Sequence, residues 1–241
     1  GKMTRQTILI LDFGSQYTQL IARRVRENKV FSKIIPYNMP AKEIAKLAPK
    51  GLILSGGPAS VIGKKSPYPD KGIFKLGIPI LGICYGMQVI AEMLGGRVKH
   101  SKEHEYGKQE LFIDEIRDMF SHLPGNFTCW ESHGDAVKKL PSGFIITAHT
   151  LNTPIAAMAN KKRKIYGVQF HPEVTHTEKG NQIVSNFLFK ICSCLGRWTM
   201  QSFIKETQET IKKSVGCDKV VFGLSGGVDC SVAALLIHKA I

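Results

Sequence analysis

Short apolar runs of strand length alternate with amphipathic stretches in the first third of the chain. Residues 7–12, TILILD, are a continuous apolar run that predicts a buried strand. In residues 15–28, apolar side chains recur three and four positions apart, which predicts a helix with Ser15 as its N-cap. Strands separated by helices predict an α/β fold with an open, mostly parallel sheet and helices on both faces. Further strands are predicted at 31–37, 50–58 (running into a glycine turn) and 78–83, and a short helix at 40–49.

The pattern changes after residue 96, where shorter alternating runs stand between Gly and Pro residues. Such runs predict antiparallel strands and hairpins. Residues 164–174, KIYGVQFHPEV, return to a core strand with an exposed end, and residues 181–196 predict an amphipathic helix. The alternating runs are residues 109–114, 143–150 and 154–160.

The chain is predicted to divide at a short linker into a domain of residues 1–196 and a second unit of residues 197–241. The second unit begins with a predicted helix at 201–216 and a predicted strand at 218–224. A glycine loop and a final helix from about Cys230 follow. With about 45 residues the second unit is too short to close a hydrophobic core of its own. We therefore expect an incomplete second α/β domain.

The charge of the chain is strongly positive, +14 from 33 Lys and Arg against 19 Asp and Glu. Nucleic-acid binding is one interpretation of this balance, and a lysine-rich surface that attracts small anions is the other. The basic residues are spread along the chain, and only residues 160–164, NKKRK, form a cluster. This spread favours the second interpretation and predicts no nucleic-acid partner.

The apolar segments and the cysteines favour a cytoplasmic protein. The most apolar stretch, residues 76–94, is interrupted by Gly, Pro, Gln and Glu, so no transmembrane segment and no membrane partner are predicted. The N-terminus turns polar too early for a secretory signal, so the cysteines are interpreted as free thiols. Cys192 and Cys194 have no second Cys or His pair at ligand spacing, so no metal site is predicted.

Cys84 stands between two glycines in Gly-Ile-Cys-Tyr-Gly, residues 82–86. This is the thiol counterpart of the Gly-x-Ser-x-Gly turn, which exposes a nucleophilic serine between a strand and a helix. Glycines permit such a strained turn, and the free N–H groups of a helix that begins near Tyr85 favour the thiolate. The motif predicts a nucleophile, with a small buried hydrophobic residue as the alternative.

His171, Pro172 and Glu173 follow the core of the predicted strand at 164–174. In an extended backbone, His171 and Glu173 point to the same side. A carboxylate beside an imidazole fixes the tautomer of the ring and stabilises its charged form, as a general base requires. Alone, the pair is more typical of a surface strand end, but together with a nucleophilic cysteine it predicts an acid–base pair.

Small residues end another predicted strand, in LSGGP, residues 54–58. Such residues leave backbone N–H groups free to bind an anion. The Gly57 N–H and the Tyr85 N–H could therefore form an oxyanion hole beside Cys84. An ordinary β-turn is the alternative.

A second glycine loop lies in VVFGLSGGVDCS, residues 220–231, between a predicted strand and a predicted helix. The backbone N–H groups of such a loop and the dipole of the following helix bind phosphates. The loop lacks the Lys of the Walker motif, so it predicts a phosphate site of another kind.

Three motifs together resemble the triad (class I) glutamine amidotransferases. They are GICYGMQ at 82–88, SHGD at 132–135 and QFHPE at 169–173. The segment ILDFGSQYTQLIARRVRE at 10–27 and the SGGP motif narrow the resemblance to the amidotransferase half of the GMP synthetase family. The resemblance covers residues 7–196 and implies the fold of that class.

The resemblance implies a role for individual side chains. Cys84 is the nucleophile that attacks the amide of glutamine, His171 is the base, and Glu173 is the acid that orients it. No cofactor is implied for this hydrolysis. The residues implied to hold glutamine are Gln88, Ser132, Gly134 and Asp135.

The glycine loop of the second unit resembles the PP-loop of the ATP pyrophosphatases, Ser-Gly-Gly-x-Asp-Ser, which belongs to the second domain of GMP synthetases. Cys230 stands where that pattern has a serine, and a thiol is the weaker hydrogen-bond donor. Ser231, the next residue, is the candidate replacement. The residues implied to bind ATP are Ser225, Gly226, Gly227, Val228, Asp229, Cys230 and Ser231.

For a full synthetase, the resemblance implies ATP and Mg²⁺, xanthosine monophosphate (XMP) as the acceptor of ammonia, and a homodimer formed through a C-terminal region beyond this chain. Two alternatives stay open. One is an amidotransferase of another pathway, such as anthranilate or carbamoyl-phosphate synthesis, against which the PP-loop argues. The other is a basic glutamine-sensing or nucleic-acid-binding protein without catalysis.

Overall fold

The computed structural model describes residues 6–241, except for the side chains of residues 102–105. The chain forms two compact units, Gly1–Gly196 and Arg197–Ile241. The strands of the first unit are β1 Thr7–Asp12, β2 Phe31–Pro36, β3 Gly51–Leu54, β4 Ile80–Ile83, β5 Arg97–Ile113, β6 Asn126–Lys139, β7 Ile145–His149, β8 Ala157–Asn160 and β9 Ile165–Val168. Its α-helices are α1 Thr18–Glu27, α2 Ala41–Lys46, α3 Tyr85–Met93 and α4 Gly180–Asn186, and a π-helical turn, Phe187–Ile191, continues α4.

In the described part of the chain, the nine strands form one sheet in the order β2-β1-β3-β4-β9-β8-β7-β5-β6. The pairs from β2 to β9 are parallel, and the pairs from β9 to β6 are antiparallel. The predicted α/β fold is therefore confirmed as a mixed sheet with helices, whose parallel part is β2-β1-β3-β4-β9. The antiparallel strands β5 to β8 come from the region after residue 96, where the alternating pattern predicts them.

Side chains of β1 alternate between two hydrophobic cores, one on each face of the sheet. Ile8 and Ile10 pack in a core with residues of α1 and α4, whereas Leu9 and Leu11 pack in a core with residues of α2 and α3. All four side chains are fully buried, and burial of each contributes about 1.5–3 kcal/mol to stability. Because helices cover both faces of the sheet, we expect a ligand site beyond the carboxyl ends of the strands.

The helix predicted over 15–28 begins three residues later than expected, at Thr18. The prediction of Ser15 as its N-cap was wrong, because Ser15 Oγ accepts a hydrogen bond from Tyr17 N at 3.0 Å and Tyr17 is the N-cap. Asp12 Oδ1 stabilises the same turn, since it accepts hydrogen bonds from Gly14 N and Thr18 Oγ1, both at 2.9 Å. A local side-chain turn therefore replaces the first helical turn.

The second unit contains two helices, α5 Met200–Val215 and α6 Val228–Ala240, in the described part of the chain. The strand predicted at 218–224 was wrong, since these residues have no regular secondary structure. A strand needs a neighbour for its N–H and C=O groups, and the sheet strands of the described residues all belong to the first unit. The apolar side chains of Val221 and Leu224 are accordingly 99% and 66% exposed.

Membrane crossing by a helix requires about 20 consecutive apolar residues. No helix in the described residues 6–241 has the length and composition that this requires.

Candidate active site

The turn between β4 and α3 holds Cys84 in a strained conformation. Its φ and ψ are 52° and −108°, in a region that non-glycine residues rarely occupy and that costs about 1–3 kcal/mol. Cys84 N donates a hydrogen bond to Val168 O at 2.8 Å, which ties the turn to the end of β9. Gly86 is needed for close packing, because a Cβ there would collide with the carbonyl oxygen of Leu54. Strain maintained by this packing is typical of a functional turn.

The chain segment after β9 places a buried acid–imidazole pair at the same end of the parallel strands as Cys84. His171 Nδ1 lies 2.8 Å from Glu173 Oε1, and the two residues are 4% and 1% exposed. His171 N donates to Trp130 O at 3.0 Å, and the carbonyl oxygen of His171 accepts from Thr177 Oγ1 at 2.6 Å. Arg24 Nε, from α1, donates to the Glu173 carbonyl oxygen at 3.0 Å. The backbone of the pair is thus fixed by three separate segments.

The structure brings the imidazole of His171 beside the thiol of Cys84, since His171 Cε1 and Cys84 Cβ lie within 3.7 Å of the same point above Gly56. Burial by itself lowers the pKa of His171, but the charge of Glu173 and the hydrogen bonds to Cys84 and Glu173 together raise it well above its ordinary value. The ring therefore favours the protonated form. An imidazole between a carboxylate and a thiol can take the thiol proton and keep it, which leaves a nucleophilic sulfur.

Two glycines at the end of β3 differ in what they contact. A Cβ on Gly56 would lie 3.2 Å from His171 Cε1 and 3.7 Å from Cys84 Cβ. The absence of a side chain at Gly56 therefore leaves space next to both His171 and Cys84. A Cβ on Gly57 would collide with the carbonyl oxygen of Phe13 instead. Neither Gly57 N–H nor Tyr85 N–H donates a hydrogen bond to another described residue. Both predicted oxyanion donors are therefore available to a ligand.

The residues predicted to hold glutamine lie on α3 and β6. The Ser132 carbonyl oxygen is 3.7 Å from Cys84 Sγ, and Gln88 Nε2 donates to the Asp135 carbonyl oxygen at 2.9 Å. Gly134 lies between these two positions of β6 and is partly exposed. The segments that carry all four predicted residues therefore meet beside Cys84.

The carboxylate of Asp135 is already engaged within the protein. Its Oδ2 accepts a hydrogen bond from Ser60 Oγ at 2.5 Å, and its Oδ1 lies 2.5 Å from His100 Nδ1. The carboxylate thus joins β6 to β5 and to the loop after β3. Sequence reasoning did not anticipate these partners, since they come from segments 35 or more positions away.

Sequence reasoning also missed Gln169, which is fully buried and whose Nε2 lies 3.6 Å from Cys84 Sγ. A signal for it existed in the strand pattern. Gln169 and His171 are two positions apart, so an extended backbone directs both side chains to the same face.

The glycine loop of the second unit precedes α6, which begins at Val228 and not at about Cys230 as predicted. Asp229 and Cys230 therefore lie in the first helical turn. Ser225 Oγ contacts Cys230 Sγ at 3.0 Å, and this hydrogen bond lowers the pKa of the Cys230 thiol. The loop residues Ser225–Asp229 are exposed, Cys230 is partly exposed, and Ser231 is exposed.

Replacement of Gly180 by alanine is expected to disturb the His171–Glu173 segment. A Cβ at Gly180 would overlap the carbonyl group of Pro172, so the backbone between the two side chains must shift. We expect the free energy of unfolding to fall by about 1–3 kcal/mol, as for other overpacked sites. Urea denaturation followed by circular dichroism measures it. The control is Gly125→Ala, because a Cβ at Gly125 meets no atom within 4 Å, and equal stability of the two variants would contradict the expectation.

Comparison with known proteins covers nearly the whole chain. The model of the class-I glutamine amidotransferase family matches residues 9–191, and the model of the NAD synthase family matches residues 199–241. The GMP synthase [glutamine-hydrolyzing] of Acetivibrio thermocellus is 52% identical over 239 residues, which are 99% of this chain and 47% of the relative. The corresponding GMP synthase of Nostoc sp. is 49% identical over 241 residues, 100% of this chain and 45% of the relative. The chain thus spans about half the length of the curated relatives it matches.

Two solved structures share the architecture. A Thermoplasma acidophilum protein, assigned provisionally to GMP synthase, has a TM-score of 0.69 and 33% identity, covering 79% of this chain and 96% of that one. A Thermotoga maritima glutamine amidotransferase has a TM-score of 0.57 and 18% identity, covering 99% of this chain and 91% of that one, and shows the fold alone. The family model at residues 9–191 includes the turn of Cys84, the β6 segment and the His171–Glu173 pair. The chain therefore belongs to the class-I glutamine amidotransferase family.

Proposed function

We propose that the first unit hydrolyses glutamine to glutamate and ammonia, as the glutaminase half of a GMP synthase. The observation that carries this proposal is the position of one buried imidazole, His171, which contacts Glu173 through Nδ1 and lies beside Cys84 over Gly56. The names of the curated relatives support GMP synthesis as the process that the ammonia serves.

The proposed reaction begins when Cys84 transfers its proton to His171 and the sulfur adds to the side-chain carbonyl carbon of glutamine. The N–H groups of Gly57 and Tyr85 bind the oxyanion. His171 then protonates the departing nitrogen, the C–N bond breaks, and ammonia leaves a thioester. Water that loses a proton to His171 attacks the thioester. The C–S bond then breaks, glutamate leaves, and His171 returns its proton to the sulfur of Cys84. Glu173 holds the imidazole in one orientation throughout.

Glutamine itself is proposed to bind against α3 and β6. Gln88, Ser132, Gly134 and Asp135 are the proposed binding residues. The contacts of Gln88 with Asp135, and of Ser132 with Cys84, support the placement of a small polar substrate there.

For the whole protein we propose an ATP-dependent amination of XMP to GMP. The reaction would require Mg²⁺ and would release AMP and pyrophosphate. The match of residues 199–241 to the NAD synthase family supports a nucleotide-binding role for Ser225–Ser231. The exposed loop and the exposed N-terminus of α6 suit phosphate, since neither is covered by the described residues. A homodimer, a cytoplasmic location and the lack of membrane and nucleic-acid partners belong to the same proposal.

The alternative of a nucleic-acid-binding protein receives less support from the basic cluster at 160–164. Lys161 Nζ lies 2.7 Å from Glu115 Oε2, and Arg163 donates to the Phe74 carbonyl oxygen at 2.9 Å. Two of the four basic side chains in this cluster are therefore engaged within the protein. A surface for the phosphate backbone needs such groups unpaired.

The 241-residue chain is expected to release glutamate from glutamine slowly and to form no GMP from XMP, ATP, Mg²⁺ and ammonium. The reason is that apolar side chains of the second unit, such as Val221 and Leu235, face solvent and do not frame a nucleotide pocket. Coupled detection of glutamate and chromatographic detection of GMP measure the two reactions.

Each outcome of this assay decides one part of the proposal. GMP above the level of an ATP-free control would overturn the assignment of the second unit. Glutamate no higher than in a protein-free control, together with DNA binding that weakens with salt, would favour the non-catalytic alternative.

A further inference from the structure

A continuous chain of buried polar groups reaches Cys84 from β6. The Asp135 carbonyl oxygen accepts a hydrogen bond from Gln88 Nε2 at 2.9 Å. The same Nε2 donates to Gln169 Oε1 at 3.3 Å, and Gln169 Nε2 lies 3.6 Å from Cys84 Sγ. Gln88 is 3% exposed and Gln169 is fully buried, so water does not compete for these contacts. None of these contacts involves His171 or Glu173.

The carbonyl at the far end of the chain determines the direction of both amides. A carbonyl oxygen can only accept, so Gln88 must present its NH₂ group to Asp135. The second hydrogen of that NH₂ group then faces Gln169, which must present its oxygen. Gln169 consequently turns its own NH₂ group toward Cys84. Rotating either amide by 180° would place two donors or two acceptors against each other.

We propose that Gln169 is a catalytic residue that donates an N–H hydrogen bond to the sulfur of Cys84 and stabilises the thiolate. This proposal rests on the proposed function only in taking Cys84 as the nucleophile. The thiol donates to the Ser132 carbonyl oxygen, and the His171 ring lies beside it over Gly56. When the proton moves from Sγ to His171, the sulfur becomes an acceptor, and the N–H of Gln169 gains strength as a charge-assisted bond.

The same chain restricts what Gln88 can do for a substrate. Both hydrogens of its NH₂ group are used, one by Asp135 and one by Gln169. Gln88 therefore offers a ligand only its carbonyl oxygen, which recognises a donor such as an ammonium or a carboxamide NH₂ group. Its second task is to keep the amide of Gln169 in the productive orientation.

Alkylation of Cys84 by iodoacetamide tests the proposal without glutamine. Gln169→Met keeps the length of the side chain and removes the donor, whereas Gln169→Glu places an acceptor against the sulfur. We expect alkylation of Cys84 at pH 7 to slow about tenfold in Gln169→Met and about a hundredfold in Gln169→Glu, the range of a hydrogen bond to a charged group. The midpoint of its pH dependence should rise by about one and about two pH units. Peptide mapping by mass spectrometry gives the rate at each cysteine.

The chain contains its own controls. Cys217 is exposed and outside the first unit, so its alkylation rate in the same sample should not change. Gln182→Met makes the same replacement at an exposed position of α4 and should leave Cys84 unaffected. His171, held by Glu173, is a titratable side chain beside Cys84. The variant His171→Asn therefore measures how much His171 contributes to the midpoint of the alkylation pH dependence.

The outcomes separate this proposal from the function of the protein. Unchanged Cys84 alkylation in folded Gln169 variants would overturn the proposal, even if glutamine hydrolysis fell. Slowed alkylation in a chain that hydrolyses no glutamine would support it and would refute the proposed function. Should neither variant fold, nuclear magnetic resonance of the wild-type chain decides. The Gln169 side-chain NH₂ signals should shift on Cys84 alkylation, and unshifted signals would refute the contact.

Discussion

Cys84→Ala is expected to abolish glutamine hydrolysis, with a loss on the order of 10⁴- to 10⁶-fold, because no other group can form the thioester. The glutamine analogue 6-diazo-5-oxo-norleucine, which alkylates such thiols, should modify Cys84 and spare the other five cysteines. Glutamate release and peptide mapping measure these two effects. The control for hydrolysis is Cys217→Ala, which removes an exposed thiol of the second unit.

The chemical states of the other cysteines make the labelling test specific. Burial raises the pKa of Cys192 well above its ordinary value and that of Cys194 to about 11, so both stay protonated at neutral pH. Cys230 is the more serious competitor, since the hydrogen bond from Ser225 lowers its pKa. However, the partner of the Cys230 thiol is the Ser225 hydroxyl, which cannot take up the thiol proton as an imidazole base can. An adduct on Cys230 or Cys192 in place of Cys84 would contradict the assignment of the nucleophile.

Glu173→Gln is expected to reduce glutamine hydrolysis by up to about 10⁴-fold, as for other triads, with the fold retained. Glu173 Oε1 now accepts from His171 Nδ1, which leaves the other ring nitrogen free to take the thiol proton. If the new amide at position 173 presented its NH₂ group, His171 Nδ1 would have to carry no hydrogen. The ring hydrogen would then lie on Nε2, the nitrogen that has to take the thiol proton. In the opposite orientation the amide cannot stabilise a charged ring, although a thiol needs less help than a hydroxyl.

The kinetics of this variant should show a fall in kcat with KM nearly unchanged, since Glu173 does not contact substrate in the proposed reaction. The matched control is Glu178→Gln, an exposed carboxylate five positions along the chain. Thermal unfolding of both variants separates a chemical effect from a structural one. Turnover at the wild-type level in Glu173→Gln would show that this carboxylate only supports the fold.

Local features of the chain predicted much of the fold and pointed to three residues that the structure brings close together. Periodicity reports which face of an element is buried, so β1, β2 and α2 could be predicted within a few residues. Gly82 and Gly86, two positions to either side of Cys84, allow the close backbone packing around its strained turn. The spacing of His171 and Glu173 alone places both on one side of an extended backbone, and their contact at 2.8 Å agrees with it.

Two other predictions from periodicity were wrong, because periodicity takes no account of the hydrogen bonds that compete with a helix or are missing for a strand. The helix α1 begins at Thr18 because the side chains of Asp12 and Ser15 bond the preceding backbone. The segment 218–224 has the residues of a strand, but a strand exists only when a neighbour accepts and donates its hydrogen bonds. In both cases the pattern described a preference, and the surrounding groups decided the structure.

The sequence by itself determined which residues are fit for acid–base and nucleophilic chemistry, and where strands and helices run. Only the tertiary structure decided which of these residues meet. Cys84 and His171 are brought together because β4 pairs with β9, with Gly82 beside Gly167. The contacts of Gln169 with Cys84, and of Asp135 with Ser60 and His100, also join distant segments. Such contacts depend on the order of strands in the sheet, which arises from packing over the whole domain and not from any local pattern.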